Sequence, residues 1–278
     1  MILIADSGST KTKWSLTGNG STAQTCVTEG INPFFRTGKV LLDSLKREFT
    51  LPVENISAVY FYGAGCTPET SPLVSDALSA FFNTRSVEVH SDLLAAARSL
   101  CDGKEGIACI LGTGSNSCYY DGEKIVSAVS SLGYILGDEG SGAVLGKKLV
   151  AGVFKNQLPD PVVRDFQQTF RLSLAEIMEN VYRRPFPNRF LAQFVPFILD
   201  RTGYPEVREL VRSSFAEFIE KNILSYRKAR SLPVHFTGSV AYHLKHILEE
   251  ECSRFDLQMG NVTKEPMPGL LKYHLKKK

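Results

Sequence analysis

Twice in this chain a short apolar run ends in a turn of glycine and hydroxyl residues and is followed by a second strand. The first copy reads Ile2-Leu3-Ile4-Ala5-Asp6-Ser7-Gly8-Ser9-Thr10 and continues to Trp14-Ser15-Leu16 and a Gly18-Asn19-Gly20 turn. The second reads Ile107-Ala108-Cys109-Ile110-Leu111-Gly112-Thr113-Gly114-Ser115-Asn116 and continues to Cys118-Tyr119-Tyr120 and an Asp121-Gly122 turn. Each is a strand, a small-residue turn, a second strand and a hairpin signal. Their Gly-Ser pairs, Gly8-Ser9 and Gly114-Ser115, stand 106 residues apart. Solenoid periods are roughly 20 to 50 residues, so a repeat of this length predicts two similar domains. A chain of 278 residues has room for two domains of about 100 to 150.

Around the repeats, helical and extended patterns alternate, which predicts an α/β fold. Val40, Leu41, Leu45 and Phe49 have helical spacing over 37–49. Ala58 to Tyr62 reads as a strand, 70–82 as a helix, and Val87 to His90 as a strand. Ser91 can cap a helix running through Leu93, Leu94, Ala95, Ala96, Ala97 and Leu100. A glycine-rich loop, Gly133 to Gly142, opens a helix to about 154. Residues 160–229 read as helices interrupted by Pro185, Pro187 and Pro205. Pro233 to Thr237 is a buried-type strand ending at Gly238, and Gly269 to Leu275 a short amphipathic helix.

Composition narrows the function classes. An apolar fraction of 43% and a charged fraction of 22% fit a globular domain and exclude wholesale disorder. No apolar run approaches the roughly 18 to 20 residues of a membrane span. The run Ile2 to Ala5 stops at Asp6, too short for a secretory core, so the expectation is a cytoplasmic protein with no membrane partner. Lys and Arg number 32 against 29 Asp and Glu, and Lys276-Lys277-Lys278 accounts for the excess. That tail reads as a solvated helix end, and a nucleic-acid partner is not expected. The cysteines Cys26, Cys66, Cys101, Cys109, Cys118 and Cys252 lack C-x-x-C or zinc-finger spacing and read as buried thiols.

The chemistry concentrates at the turns. Asp6-Ser7-Gly8-Ser9-Thr10-Lys11-Thr12 offers backbone N–H groups, hydroxyls and a lysine to a phosphate. Asp6 can organise Mg²⁺ directly or through water. Gly112 to Asn116 has the same chemistry, and two such turns would clamp a nucleotide. Either turn alone reads more readily as a simple Gly/Ser hairpin, and it is the pair that points to phosphate. Asp92 follows a strand and starts a helix, a place for a base that accepts a hydroxyl proton or merely for a helix-start acid. Asp138 and Glu139 in the Gly137–Gly142 loop, and Asn32 before Pro33-Phe34-Phe35, can bind hydroxyls or simply turn the chain. Thr237-Gly238-Ser239-Val240 is a third small-residue turn, suited to nucleotide contact or to strand–helix packing.

These motifs in this order resemble the N-acetylglucosamine kinase family, the BadF/BadG/BcrA/BcrD ATPase group of the actin, hexokinase and Hsp70 superfamily. The similarity spans residues 1 to about 275 and is strongest over Leu111–Asn116 and Gly133–Gly142. It implies two ribonuclease-H-like domains around a nucleotide cleft, 1–114 with the helix 267–278, and 115–266. It implies ATP and Mg²⁺ as cofactors. Asp6, Gly8, Thr10 and Lys11 then belong to a first phosphate loop, with Asp6 toward the metal. Thr113, Gly114 and Ser115 belong to a second, and Gly238 and Ser239 to the late turn by the nucleotide. Asp92 matches the catalytic aspartate, which also contacts the sugar; Asn32 and Asp138 match sugar-binding residues. A homodimer is compatible with the resemblance.

The implied activity is phosphorylation of an amino sugar, N-acetylglucosamine first, at its 6-hydroxyl. Two stretches depart from the family pattern. Ser130-Ser131-Leu132 stands where Gly-Gly-Trp is common, and Pro33-Phe34 follows Asn32. Both concern the expected sugar pocket, so N-acetylmuramate or another hexosamine is the alternative substrate. Two further readings are an activator ATPase carrying an iron–sulfur cluster, which the scattered cysteines do not favour, and a nucleotide switch, which needs no alcohol-activating base.

Overall fold

The structure, a computed structural model, describes residues 1–8, 10–18, 22–33 and 37–276. Ser9, Asn19, Gly20, Phe34, Phe35, Lys277 and Lys278, all used in the sequence reading, lie outside the described residues. In chain order the elements are β1 (Ile2–Ser7), β2 (Lys11–Thr17), β3 (Gln24–Glu29), α1 (Gly38–Glu48), β4 (Ala58–Gly63), α2 (Ser71–Phe82), β5 (Val87–Ser91) and α3 (Asp92–Cys101). There follow β6 (Gly106–Leu111), β7 (Ser115–Tyr120), β8 (Ile125–Ala128), α4 (Gly133–Leu136), α5 (Gly142–Phe154), α6 (Asp160–Phe170), α7 (Leu174–Tyr182), α8 (Pro187–Ala192) and α9 (Val195–Leu199). The chain ends with α10 (Pro205–Lys221), β9 (Val234–Thr237), α11 (Ser239–His243), α12 (Lys245–Arg254), β10 (Met259–Thr263) and α13 (Met267–Lys276).

The chain divides into two compact units, Met1–Gly103 with Pro266–Lys278, and Lys104–Glu265. The first boundary thus falls at 103 rather than the expected 114, because β6 is the central strand of the second sheet.

The sheet of unit 1 has the order β3-β2-β1-β4-β5. β1 runs antiparallel to β2 and parallel to β4, and β4 runs parallel to β5. The apolar run of β1 is continuous because it is the central strand, covered on both faces. Leu3 and Ala5 join Trp14, Leu16, Leu41, Leu45, Val74 and Leu78 beneath α1 and α2. Ile2 and Ile4 face the other way and, with Tyr62 of β4, pack against Ala95, Met267 and Leu270 of the α3 and α13 layer. α13 crosses α3 closely: a Cβ on Gly269 would lie 2.3 Å from the Ser99 carbonyl oxygen. Its buried His274 stacks on Tyr60 with ring centroids 4.0 Å apart, and its Nε2 lies 2.8 Å from the Tyr62 hydroxyl. Lys272 and Lys276 reach Asp102 at 2.8 and 2.7 Å, so Lys276 is not simply a solvated helix end.

Unit 2 repeats this plan strand for strand, in the order β10-β9-β6-β7-β8. β6 runs antiparallel to β7 and parallel to β9, and β9 parallel to β10. The duplicated strand–turn–strand is therefore a duplicated sheet. Its core is aromatic, with Phe166, Phe194, Phe215, Phe218 and Phe236 buried. Pro187 and Pro205 begin α8 and α10 instead of interrupting helices, since proline's fixed φ and missing N–H suit a first turn. β10 is a strand the sequence pattern did not suggest. All six cysteines are buried and none is in a disulfide. Among the described residues no helix is long and apolar enough to cross a membrane.

Candidate active site

In unit 1 the parallel strands deliver two carboxylates to one edge of the sheet. Asp6 is in register with Tyr62 and His90, and the next row is Ser7, Gly63 and Ser91. Asp92 follows at once, at the start of α3, where the Ser91 hydroxyl accepts the Leu94 N–H at 3.2 Å. Burial, then the charge of Asp92, pushes Asp6 up to about 7, while Lys13 and Lys11 pull it down. Burial also raises Asp92, against the opposing N–H groups of Leu93 and Asp92 itself. Between their strands sits Gly63, where a Cβ would lie 2.6 Å from the Phe61 ring.

The first turn is short and tied down. The Gly8 N–H donates to the Lys11 carbonyl at 3.0 Å, and the Thr10 carbonyl accepts the Gly30 N–H at 3.0 Å. Thr10 and Lys11 are exposed. The buried Ser7 hydroxyl accepts the Ile31 N–H at 2.9 Å and lies 2.7 Å from the Thr12 hydroxyl. That bond draws the next residue, Asn32, to the edge that carries Asp6.

In unit 2 the second turn has all its carbonyls engaged. Gly112 O accepts from Gly142 N, Thr113 O from Ala143 N, and Gly114 O from Gly112 N, at 2.8, 3.0 and 3.0 Å. The N–H groups of Thr113 and Gly114 meet no acceptor among the described residues. A turn bonded inward through its carbonyls and open at its amides suits an anion. Ser115 N–H donates to Asp138 Oδ1 at 3.1 Å. Gly238, at φ +120°, presses on the same turn: a Cβ there would lie 2.2 Å from the Leu111 carbonyl oxygen. Thr113, Gly114, Ser115, Asp138, Gly238 and Ser239 are thus gathered at one edge of unit 2.

Beside this turn is a cleft of about 360 Å³, within unit 2. Gly112, Thr113 and Gly142 form its floor, Ala192, Val195, Pro196 and Leu199 an apolar wall, and Ser239, Val240, His243, Gln193 and Lys264 the rest. An apolar wall with a few polar groups is the usual make-up of a small-molecule site. A larger hollow of about 670 Å³ lies between α10 and α12, but it is lined by charges that pair with each other, Arg208 with Glu250 and Arg212 with Glu251.

No protein-family model and no curated protein matches the sequence. Solved structures do. A candidate N-acetylglucosamine kinase from Porphyromonas gingivalis is 47% identical, with 99% of each chain covered and a TM-score of 0.96. The chain belongs to the N-acetylglucosamine kinase family. Other matches share the fold at low identity. A candidate N-acetylglucosamine kinase from Chromobacterium violaceum is 18% identical over 98% of this chain and 99% of that one, with a TM-score of 0.75. A glucokinase of the ROK family from Streptomyces griseus, solved with glucose and AMPPNP, is 15% identical over 98% and 97%, with a TM-score of 0.58. The fold is the two-domain actin-like ATPase fold.

The family's motif order picks out the turns but not the cleft wall. Gln193, His243 and Lys264 carry no signal in the sequence pattern; Lys264 stands just past a strand, as Asp92 does, but that strand, β10, is not itself visible in the pattern. Among the described residues no group of three His, Cys, Asp or Glu could hold a metal ion. Magnesium requires less, taking one or two carboxylates and keeping several waters. Asp6 fits that role, since its half-buried carboxylate faces the field of a second one and a cation would relieve both.

Proposed function

We propose that this protein is an ATP-dependent kinase that transfers the γ-phosphoryl group to the 6-hydroxyl of an amino sugar, N-acetylglucosamine first. The observation that carries this reading is the Asp6–Asp92 pair at the carboxyl ends of parallel strands. Asp92 is desolvated, and its raised pKa makes it a better proton acceptor than an exposed aspartate. In the reaction it takes the proton of the 6-hydroxyl. The hydroxyl oxygen bonds to the γ-phosphorus, the bond from that phosphorus to the bridging oxygen breaks, and ADP leaves.

The Thr113 and Gly114 amides hold phosphate oxygens, and the unit 2 cleft takes the nucleoside, with Lys264 supplying positive charge. Gly8, Thr10 and Lys11 line the first phosphate loop, and Gly238 and Ser239 the turn beside the nucleoside. Mg²⁺, organised through Asp6, supplies charge neutralisation on the phosphates when bound. Asn32 and Asp138 bind sugar hydroxyls. The buried cysteines argue against an iron–sulfur activator, whose cluster needs thiolates gathered at an interface.

The test is ADP release with ATP and Mg²⁺ on N-acetylglucosamine, N-acetylmuramate, glucosamine, N-acetylmannosamine and glucose. Turnover on an N-acyl hexosamine with the phosphate on its 6-oxygen is expected. ATP binding without turnover on any sugar would favour a nucleotide switch instead.

A further inference from the structure

Asp138 does more in this structure than face a sugar. Its backbone is left-handed, at φ +56°, and its carbonyl accepts the Ser141 N–H at 3.1 Å, at the N-cap of α5. Its carboxylate is packed on the second turn: a Cβ on Gly114 would lie 3.1 Å from Oδ2 and 3.2 Å from Oδ1. Oδ1 accepts the Ser115 N–H, while Oδ2 meets no hydrogen-bond donor among the described residues. The residue therefore joins the entry to α5 to the last amide of the turn. The two amides left without acceptors, those of Thr113 and Gly114, come immediately before that fixed point.

We infer that Asp138 is a positioning residue for the nucleotide, holding the Thr113 and Gly114 amides in place through the Ser115 N–H while Oδ2 stays available to a sugar hydroxyl. The inference rests on the reading of this turn as a phosphate loop. It adds that one carboxylate serves both substrates, so an occupied sugar site steadies the turn that holds the phosphates. A carboxylate beside a phosphate is otherwise unfavourable electrostatically, and Oδ1 offsets this by ordering the donors.

Two variants separate the bond from the charge. Asp138→Asn keeps an oxygen for the Ser115 N–H and tolerates the left-handed backbone. Asp138→Gly tolerates that backbone too, but leaves Ser115 without its acceptor. Both remove the charge, so the difference between them isolates the bond. The measurement is the dissociation constant of AMPPNP with Mg²⁺, without sugar, for wild type and both variants, alongside steady-state kinetics with ATP and the best sugar. We expect Asp138→Gly to bind AMPPNP about three- to tenfold more weakly than Asp138→Asn, the usual range for one lost hydrogen bond. The KM for ATP should follow the same order, and the KM for sugar should rise in both.

Equal AMPPNP affinity in the two variants, with only the sugar KM changed, would overturn the inference and leave Asp138 a sugar ligand alone. If Asp138→Gly does not fold, Gly114→Ala substitutes for it, because its Cβ, 3.1 Å from Oδ2 and 3.2 Å from Oδ1, crowds the carboxylate and strains its bond to Ser115. That change should weaken AMPPNP more in the wild type than in Asp138→Asn/Ser115→Pro, which has no Ser115 N–H to lose; an equal effect would overturn the inference. A wild type that binds AMPPNP but phosphorylates no sugar would sink the kinase reading and leave the binding comparison intact.

Discussion

Superposing the two units by their strand pairing sets unlike side chains on one frame. Asp6 of β1 pairs with Tyr62 of β4 as Ile110 of β6 pairs with Thr237 of β9. One residue before its end, the first strand therefore carries a carboxylate and its counterpart an aliphatic side chain. At the far strand the contrast sharpens: Asp92 follows β5 in unit 1, where Lys264 follows β10 in unit 2. The turns differ as well. Ser7 and Thr12 enclose four residues, whereas Leu111 and Ser115 enclose three. Duplication supplied two equivalent edges, and the residues at those edges divide the work. The acidic edge suits a cation and a proton, and the edge with open amides and a lysine suits phosphates.

The largest expected effect tests that division. Asp92→Asn should lower kcat by about 10²- to 10⁴-fold, the usual contribution of a general base. AMPPNP affinity should stay within about twofold, as stopped-assay kinetics and calorimetry would report. A matched loss of nucleotide binding would break the division between the edges.

The equivalent glycines sharpen it. Gly238→Ala forces a Cβ against the Leu111 carbonyl in a left-handed backbone and should destabilise unit 2 by about 3 kcal/mol. Gly63→Ala meets side chains, the Phe61 ring at 2.6 Å and the Cys66 Sγ at 3.1 Å, in an ordinary backbone, and should cost about 1 kcal/mol. Denaturant melts of the two variants would decide whether the order is right.

A smaller effect concerns Asp6, whose pKa is raised from 3.8 to about 7 in the folded chain. Between those values the folded state holds the proton and the unfolded state does not, so this group's contribution falls as pH rises from about 4 to about 7. Asp6→Asn should therefore stabilise the chain at pH 8 by about 1–2 kcal/mol in the presence of a chelator, and less at pH 5. Equal effects at both pH values would remove the electrostatic contrast between the units.

The smallest lies on α13. Lys272 and Lys276 hold Asp102 down to about 2, so their contribution is present above about 4 and is lost as pH falls toward 2. Asp102→Asn should lower the Tm slightly at pH 7, and the difference should vanish near pH 2, as scanning calorimetry would show.

Much of this is legible in the sequence. Central strands covered on both faces must be apolar throughout, so Ile2–Ala5 and Ile107–Leu111 announced themselves, and the glycine-rich turns followed. Asp6 and Asp92 are legible because each stands at the carboxyl end of an apolar strand, Asp6 one residue inside it and Asp92 one residue past it. β10 was not: Met259-Gly260-Asn261-Val262-Thr263 has no clean alternation, and its glycine serves a neighbour, since a Cβ there would lie 2.3 Å from His235 Nδ1. The cleft wall was hidden because short helices with proline starts bring Ala192 to Leu199 together only in three dimensions. The bond from Ser115 to Asp138 spans 23 residues and depends on a left-handed aspartate, which no spacing rule reports.

The return of α13 to the first sheet has a consequence for how the chain is made. Unit 2 is one uninterrupted stretch, Lys104–Glu265, and can complete its core as soon as that stretch is synthesised. Unit 1 begins first but finishes last. Until Met267 and Leu270 arrive, Ile2, Ile4 and Tyr62 lack the α13 part of the layer that covers them. The order of synthesis is thus the reverse of the order of completion, and the earliest residues wait longest for shelter from water.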